Sequence, residues 1–167
     1  MNLHFVVGPL GEGRESFSKI LKKQFNQLDI HSQFHNCGSL NCLDNYGGIT
    51  ALNLNFCLDD ISMNVASIDN TTENLIFSGV GLSLYIKEIA QQYPSASIYL
   101  VKSSKNKLET DPSFKETLLM LVEDITEEWI LKTNEKINSI IDEFEKTNTL
   151  IWRAIPEILE NSRVAKL

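Results

Sequence analysis

Apolar and polar positions follow two periods along this chain. Leu3–Val7 is a short unbroken apolar run that stops at Gly8-Pro9, which predicts a strand buried on both faces. From Glu15 to Leu28, Phe17, Ile20, Leu21 and Phe25 share one helical face and Lys19, Lys22 and Lys23 the other. Strand, glycine loop and helix make the first half of a βαβ unit. A short strand near Ile30–Phe34 and a long Asn-, Ser-, Gly- and Cys-rich loop should follow. Leu52, Leu54 and Phe56 alternate with asparagines, Asp59-Asp60 suggests a turn, and Ile61, Met63 and Val65 alternate again, so residues 51–68 read as a hairpin.

Further on, Asn74–Phe77 is another apolar run. Leu82–Tyr93 has helical spacing ended by Pro94, and Ile98–Val101 reads as a buried strand. Asp111-Pro112 starts a helix with a stripe at Phe114, Leu118 and Ile125. Trp129–Leu131 either ends that helix or forms a last strand. Ile137, Ile140, Ile141 and Phe144 mark another helix, and residues 150–166 read as helical, with Pro156 as a kink or restart. Strands alternating with helices predict an α/β, three-layer fold: a mostly parallel sheet with helices on both faces. In such sheets ligands sit beyond the carboxyl ends of the strands, where the 8–16 loop lies.

The 167 residues suit a single domain. Net charge is −7 and uneven: residues 1–107 hold 8 Lys/Arg against 9 Asp/Glu, residues 108–167 hold 7 against 13. The acidic half argues against nucleic acid as a partner. No stretch has the length of a membrane span, and the N-terminus shows no leader-like pattern, so a cytoplasmic protein without a membrane partner is expected. Three cysteines are too few for a disulfide framework.

The 8–16 loop carries the chemistry. A phosphate loop reads G-x-x-x-x-G-K-[ST]: glycines let backbone N–H groups curl around phosphate oxygens, the lysine bridges the outer phosphates, and the hydroxyl holds Mg²⁺. Here Gly8 and Gly13 have that spacing, with Gly11 between them, but Arg14 stands for the lysine and Glu15 for the hydroxyl. Arginine keeps the charge in a different shape. A carboxylate at position 15 suits a bare helix N-terminus and repels a phosphate there. Ser16 offers a hydroxyl one residue on.

The stretch GPLGEGRESFSKILKKQF resembles the opening of the P-loop nucleoside-monophosphate kinases, the adenylate and guanylate kinase group. QQYPSASIYLVKSSKNKLE and EWILKTNEKINSIIDEFEKT resemble guanylate kinase segments, and Asn45-Tyr46-Gly47-Gly48 resembles that family's segment near the acceptor. The resemblance implies a five-stranded parallel core, a nucleotide-binding half over 1–107, and ATP-dependent phosphoryl transfer to a nucleotide or other small phosphorylated acceptor. ATP or GTP with Mg²⁺ would be the cofactor. Gly8, Gly11, Gly13, Arg14 and Ser16 would hold the donor phosphates, Asp69 the metal, Tyr46 the acceptor, and Lys102, Lys105 and Lys107 would stand where the lid begins. Such kinases use several arginines; this chain has Arg14, Arg153 and Arg163 alone. One alternative is an inactive kinase-fold binding or assembly protein, with its C-terminal helices meeting a protein partner. The other is a degenerate small GTPase, weakly echoed by Asp69-Asn70-Thr71-Thr72-Glu73 and LKTNEK, with Thr72 where glycine is needed and Ile137 where Asp is needed.

Two further groupings carry less. His31, His35, Cys37 and Cys42 are zinc-ligand types, but their spacing matches no standard zinc motif. Trp129 and Trp152 read as core or interface residues, and the carboxylates of 123–145 as a solvated helix face.

Overall fold

The computed structural model describes residues 1–36, 52–101, 106–121, 125–147 and 151–154. Their strands are β1 (Asn2–Val7), β2 (Ser32–Asn36), β3 (Asn74–Ser78), β4 (Ser97–Val101) and β5 (Ile151–Ala154). The helices are α1 (Arg14–Gln27), α2 (Leu54–Ser67), α3 (Val80–Leu84), α4 (Ile86–Gln92), α5 (Lys107–Thr110), α6 (Pro112–Leu121) and α7 (Glu127–Thr147). One five-stranded sheet runs in the order β2-β3-β1-β4-β5. Every neighbouring pair is parallel, with Val6 opposite Ser78 on one side and Tyr99 on the other.

Both faces of the sheet are covered, and the strand residues divide between them by parity. Phe5, Val7, Leu75, Phe77, Ile98 and Leu100 enter the larger core with apolar side chains of α2, α3, α4, α6 and α7. Val6, Ile76, Tyr99 and Val101 enter a smaller core with Phe17, Leu21 and Phe25 of α1. Burial on both faces is why these strands read as continuous apolar runs. One polar cluster is buried among them. His4 bonds Asn74 Oδ1 through Nε2 at 2.6 Å and Tyr99 OH through Nδ1 at 3.0 Å. The amide oxygen can only accept, so Nε2 carries the proton and the Tyr99 hydroxyl donates to Nδ1.

The expected hairpin over 51–68 is replaced by α2. Alternation at Leu52, Leu54 and Phe56 spans too few residues to decide between the two periods. Cys57 and Ile61 are fully buried one turn apart, with Leu54, Leu58 and Val65 packed against the same core. Asn53 caps the helix, its side chain accepting from Phe56 N–H at 2.9 Å. Asp59 and Asp60 are therefore mid-helix rather than a turn.

Two other expectations are corrected. Trp129–Leu131 neither ends α6 nor forms a strand: it lies in the first turns of α7, where Thr126 Oγ1 accepts from Trp129 N–H at 3.1 Å. Residues 151–154, expected to be helical, extend the sheet as β5 with Ile151 opposite Ile98; Pro156 lies outside the described residues. The strand near Ile30–Phe34 starts later, because Asp29 adopts φ 58° and Ile30 N–H closes α1 on Phe25 C=O at 3.0 Å.

Candidate functional site

The order β2-β3-β1-β4-β5 sends the chain from β1 onto one face through α1, and from β3 onto the other through α3. The two exits diverge, and a crevice opens between them at the carboxyl edge. A cleft of about 380 Å³ lies there, lined by the β1–α1 loop, the ends of β2 and β3, and α6.

Three glycines shape the loop. A Cβ on Gly8 would stand 2.7 Å from the Val101 carbonyl oxygen, so only glycine lets β1 leave alongside β4. Gly11 and Gly13 have φ of 86° and 87°, in the left-handed region. Side chains from the second half of the chain then hold the loop. Asn134 of α7 accepts from Leu10 N–H at 2.8 Å and donates to Leu10 C=O at 3.2 Å. Asn106 donates to Leu10 C=O at 3.0 Å and to Glu12 Oε1 at 3.2 Å, and Lys107 N–H donates to Gly11 C=O at 3.0 Å.

The Leu10 and Gly11 carbonyls are thus engaged, while donors remain at the cleft. Gly13 is the N-cap of α1 and provides no side-chain cap. The N–H groups of Gly13, Arg14, Glu15 and Ser16, the first four of the helix, make no hydrogen bond among the described residues. Glu15 does not occupy this end: its carboxylate lies in solvent, 3.0 Å from Lys19 Nζ. Arg14 is partly buried and has no carboxylate within ion-pair distance among the described residues. Among the described residues its side chain makes one hydrogen bond, a long one of 3.5 Å from Nη1 to Ser83 Oγ. Burial lowers its pKa to about 10, the Glu15 charge opposing the shift. Buried Ser83 ties this corner together, accepting from Gly8 N–H at 3.1 Å and donating to Gly79 C=O at 2.9 Å.

Of the residues singled out in the sequence, Gly8, Gly11, Gly13, Arg14 and Ser16 come together on the loop. Asp69 does not join them. It precedes β3 whereas the loop follows the parallel β1, which places them at opposite edges of the sheet, about 17 Å apart along five residues of strand. Its carboxylate accepts from Thr71 N–H at 3.0 Å and builds a turn. Tyr46, Lys102 and Lys105 lie outside the described residues; Lys107 stands at the rim, its Nζ 5.8 Å from the Phe114 ring centre.

The GTPase echoes are also dispersed: residues 69–73 share the far edge, and LKTNEK lies inside α7, with Asn134 spent on the loop. His31 meets Thr72 and His35 meets Asp60 at 3.2 Å each; Cys37 and Cys42 lie outside the described residues. Among the described residues no group of three His, Cys, Asp or Glu side chains could hold a metal ion.

Sequence reasoning missed Ser83, Asn106 and Asn134, which fix the loop, and Phe114 and Leu118, which wall the cleft. Ser83 was signalled as a lone hydroxyl inside an apolar helical run; the asparagines carried no local signal. No known protein-family model matches this chain, and neither does any curated protein sequence.

Proposed function

We propose that this protein binds the phosphate of a nucleotide-type ligand at the N-terminus of α1, as a P-loop kinase-like domain. One observation carries the reading: Arg14, desolvated and with no carboxylate within ion-pair distance among the described residues, lines the same cleft as four unpaired helix N–H groups. A desolvated cation beside a positive helix end calls for an anion. Glu15, which a phosphate would oppose, is turned to solvent, 3.0 Å from Lys19 Nζ.

Binding is better supported than phosphoryl transfer. A kinase site surrounds the transferring charge with several cations and a carboxylate-held Mg²⁺. Glu15, the one carboxylate among the described residues that line the cleft, pairs with Lys19, and Glu12 nearby receives Asn106. The described donor set does not fit Mg²⁺, so no transfer step is assigned. The kinase-fold binding module is the form of the resemblance favoured here.

The test is thermal stability with ATP, GTP, GMP and AMP, each in Mg²⁺ and in EDTA. A ligand at 100 times its Kd adds about 2.7 kcal/mol, a shift of several degrees for a domain this size. Arg14→Met should abolish the shift. No shift with any nucleotide, in a folded protein, would refute the reading.

A further inference from the structure

We infer that the cleft takes a phosphate monoester with a planar aromatic body, bound as its dianion without a metal ion, rather than a metal–triphosphate. This rests on the phosphate-site reading above and departs from what the kinase resemblance implies.

Charge comes first. Among the described residues three cations line the cleft: Arg14, Lys19 and Lys107. Lys19 is paired with Glu15 at 3.0 Å. Arg14 and Lys107 have no carboxylate within ion-pair distance among the described residues, so two cations face the cleft without a contacting anion, with the Glu15 charge acting on Arg14 from further off. A phosphate monoester carries about 1.5 to 2 negative charges at pH 7. A triphosphate carries more and normally brings Mg²⁺, for which the described donors provide no seat.

The opposite wall gives the rest of the ligand its character. Leu10, Val80 and Leu118 are buried and form an apolar floor, while Phe114 is only half-buried and keeps part of its ring open to the cleft. Lys107 Nζ stands 5.8 Å from the centre of that ring, which puts a cation and the open part of an aromatic ring side by side at the cleft. Thr117 adds a hydroxyl at the rim. The volume, about 380 Å³, is near the low end for ligand pockets and suits one ring system with one phosphate.

The experiment is calorimetry with inorganic phosphate, phenyl phosphate, GMP, AMP, ATP and GTP, each in EDTA and in Mg²⁺. The aromatic monoesters should bind at least about tenfold more tightly than inorganic phosphate or either triphosphate, equally in EDTA and Mg²⁺. Phe114→Leu keeps an apolar side chain and should weaken monoester binding about tenfold while leaving inorganic phosphate unchanged. Lys107→Gln, at an exposed position, should weaken all the monoesters severalfold. Tighter Mg²⁺-dependent binding of ATP or GTP would overturn this inference and leave the phosphate site standing. Monoesters binding no better than inorganic phosphate would overturn the aromatic wall. Failure of every anion, phosphate included, would overturn both this inference and the site.

Discussion

Leu10 gives both of its backbone hydrogen-bonding groups to one side chain, that of Asn134, 124 positions further along the chain. The loop at the carboxyl end of β1 is therefore shaped by α7 as much as by its own glycines. Asn134→Ala leaves Leu10 N–H without its partner and should cost about 1 to 3 kcal/mol in urea unfolding. Phosphate affinity should fall with it. Asp69→Asn, at the far edge of the sheet, should leave affinity unchanged.

Gly11→Ala and Gly13→Ala each force a Cβ into the left-handed region, at φ of 86° and 87°. Each should lose about 1 to 2 kcal/mol of stability. Gly11→Ala should lose more, because its Cβ would also collide with the Asn106 amide that ties down the loop. Chemical denaturation of the two variants gives the comparison directly.

Arg14→Met should stabilise the ligand-free protein, by an amount on the order of 1 kcal/mol. The folded pKa, about 10, lies below the ordinary arginine value, so folding opposes the charged form. The cost is constant while both states stay protonated, up to about pH 10, and fades above it. The gain should thus be flat from pH 6 to 9 in urea titrations, and the same variant should lose phosphate binding.

Burial pushes the Tyr99 hydroxyl up to about 12, with Ser97 opposing the shift. Its contribution is fully present below pH 10 and is lost as pH rises through 12. Stability should drop by about 2 to 3 kcal/mol across that interval. Tyr99→Phe should flatten this slope, and at neutral pH should cost about 1 to 3 kcal/mol by leaving His4 Nδ1 without its donor. Unfolding midpoints from pH 8 to 12 test both statements.

Legibility in the sequence followed the range of the interactions involved. The apolar run at Leu3–Val7 and the spacing of Phe17, Leu21 and Phe25 are local patterns, and they mark β1 and α1 correctly. The 52–68 segment misled because Leu52, Leu54 and Phe56 satisfy period two, while the deciding pair, Cys57 and Ile61, meets its partners only in the packed core. The glycine loop was visible for the same local reason. Asn106 and Asn134 were not, since an asparagine that bonds a backbone about a hundred residues away has no local signature. That Asp69 stands at the far edge from the loop was not legible either, because proximity to an apolar run does not say at which end of a strand a residue will stand.

The position of β1 has a consequence for the growing chain. It precedes the other four described strands in the chain, yet its neighbours in the described sheet are β3 and β4. At about 5 to 20 residues per second, Ser78 is added roughly 4 to 15 s after Asn2. Throughout that interval Phe5, Val6 and Val7, each wholly enclosed in the finished fold, have no strand to pair with. The part of the molecule that ends in the cleft is thus the one exposed longest to mispairing during synthesis. Its protection in the cell falls to whatever binds a short apolar segment beside a basic helix.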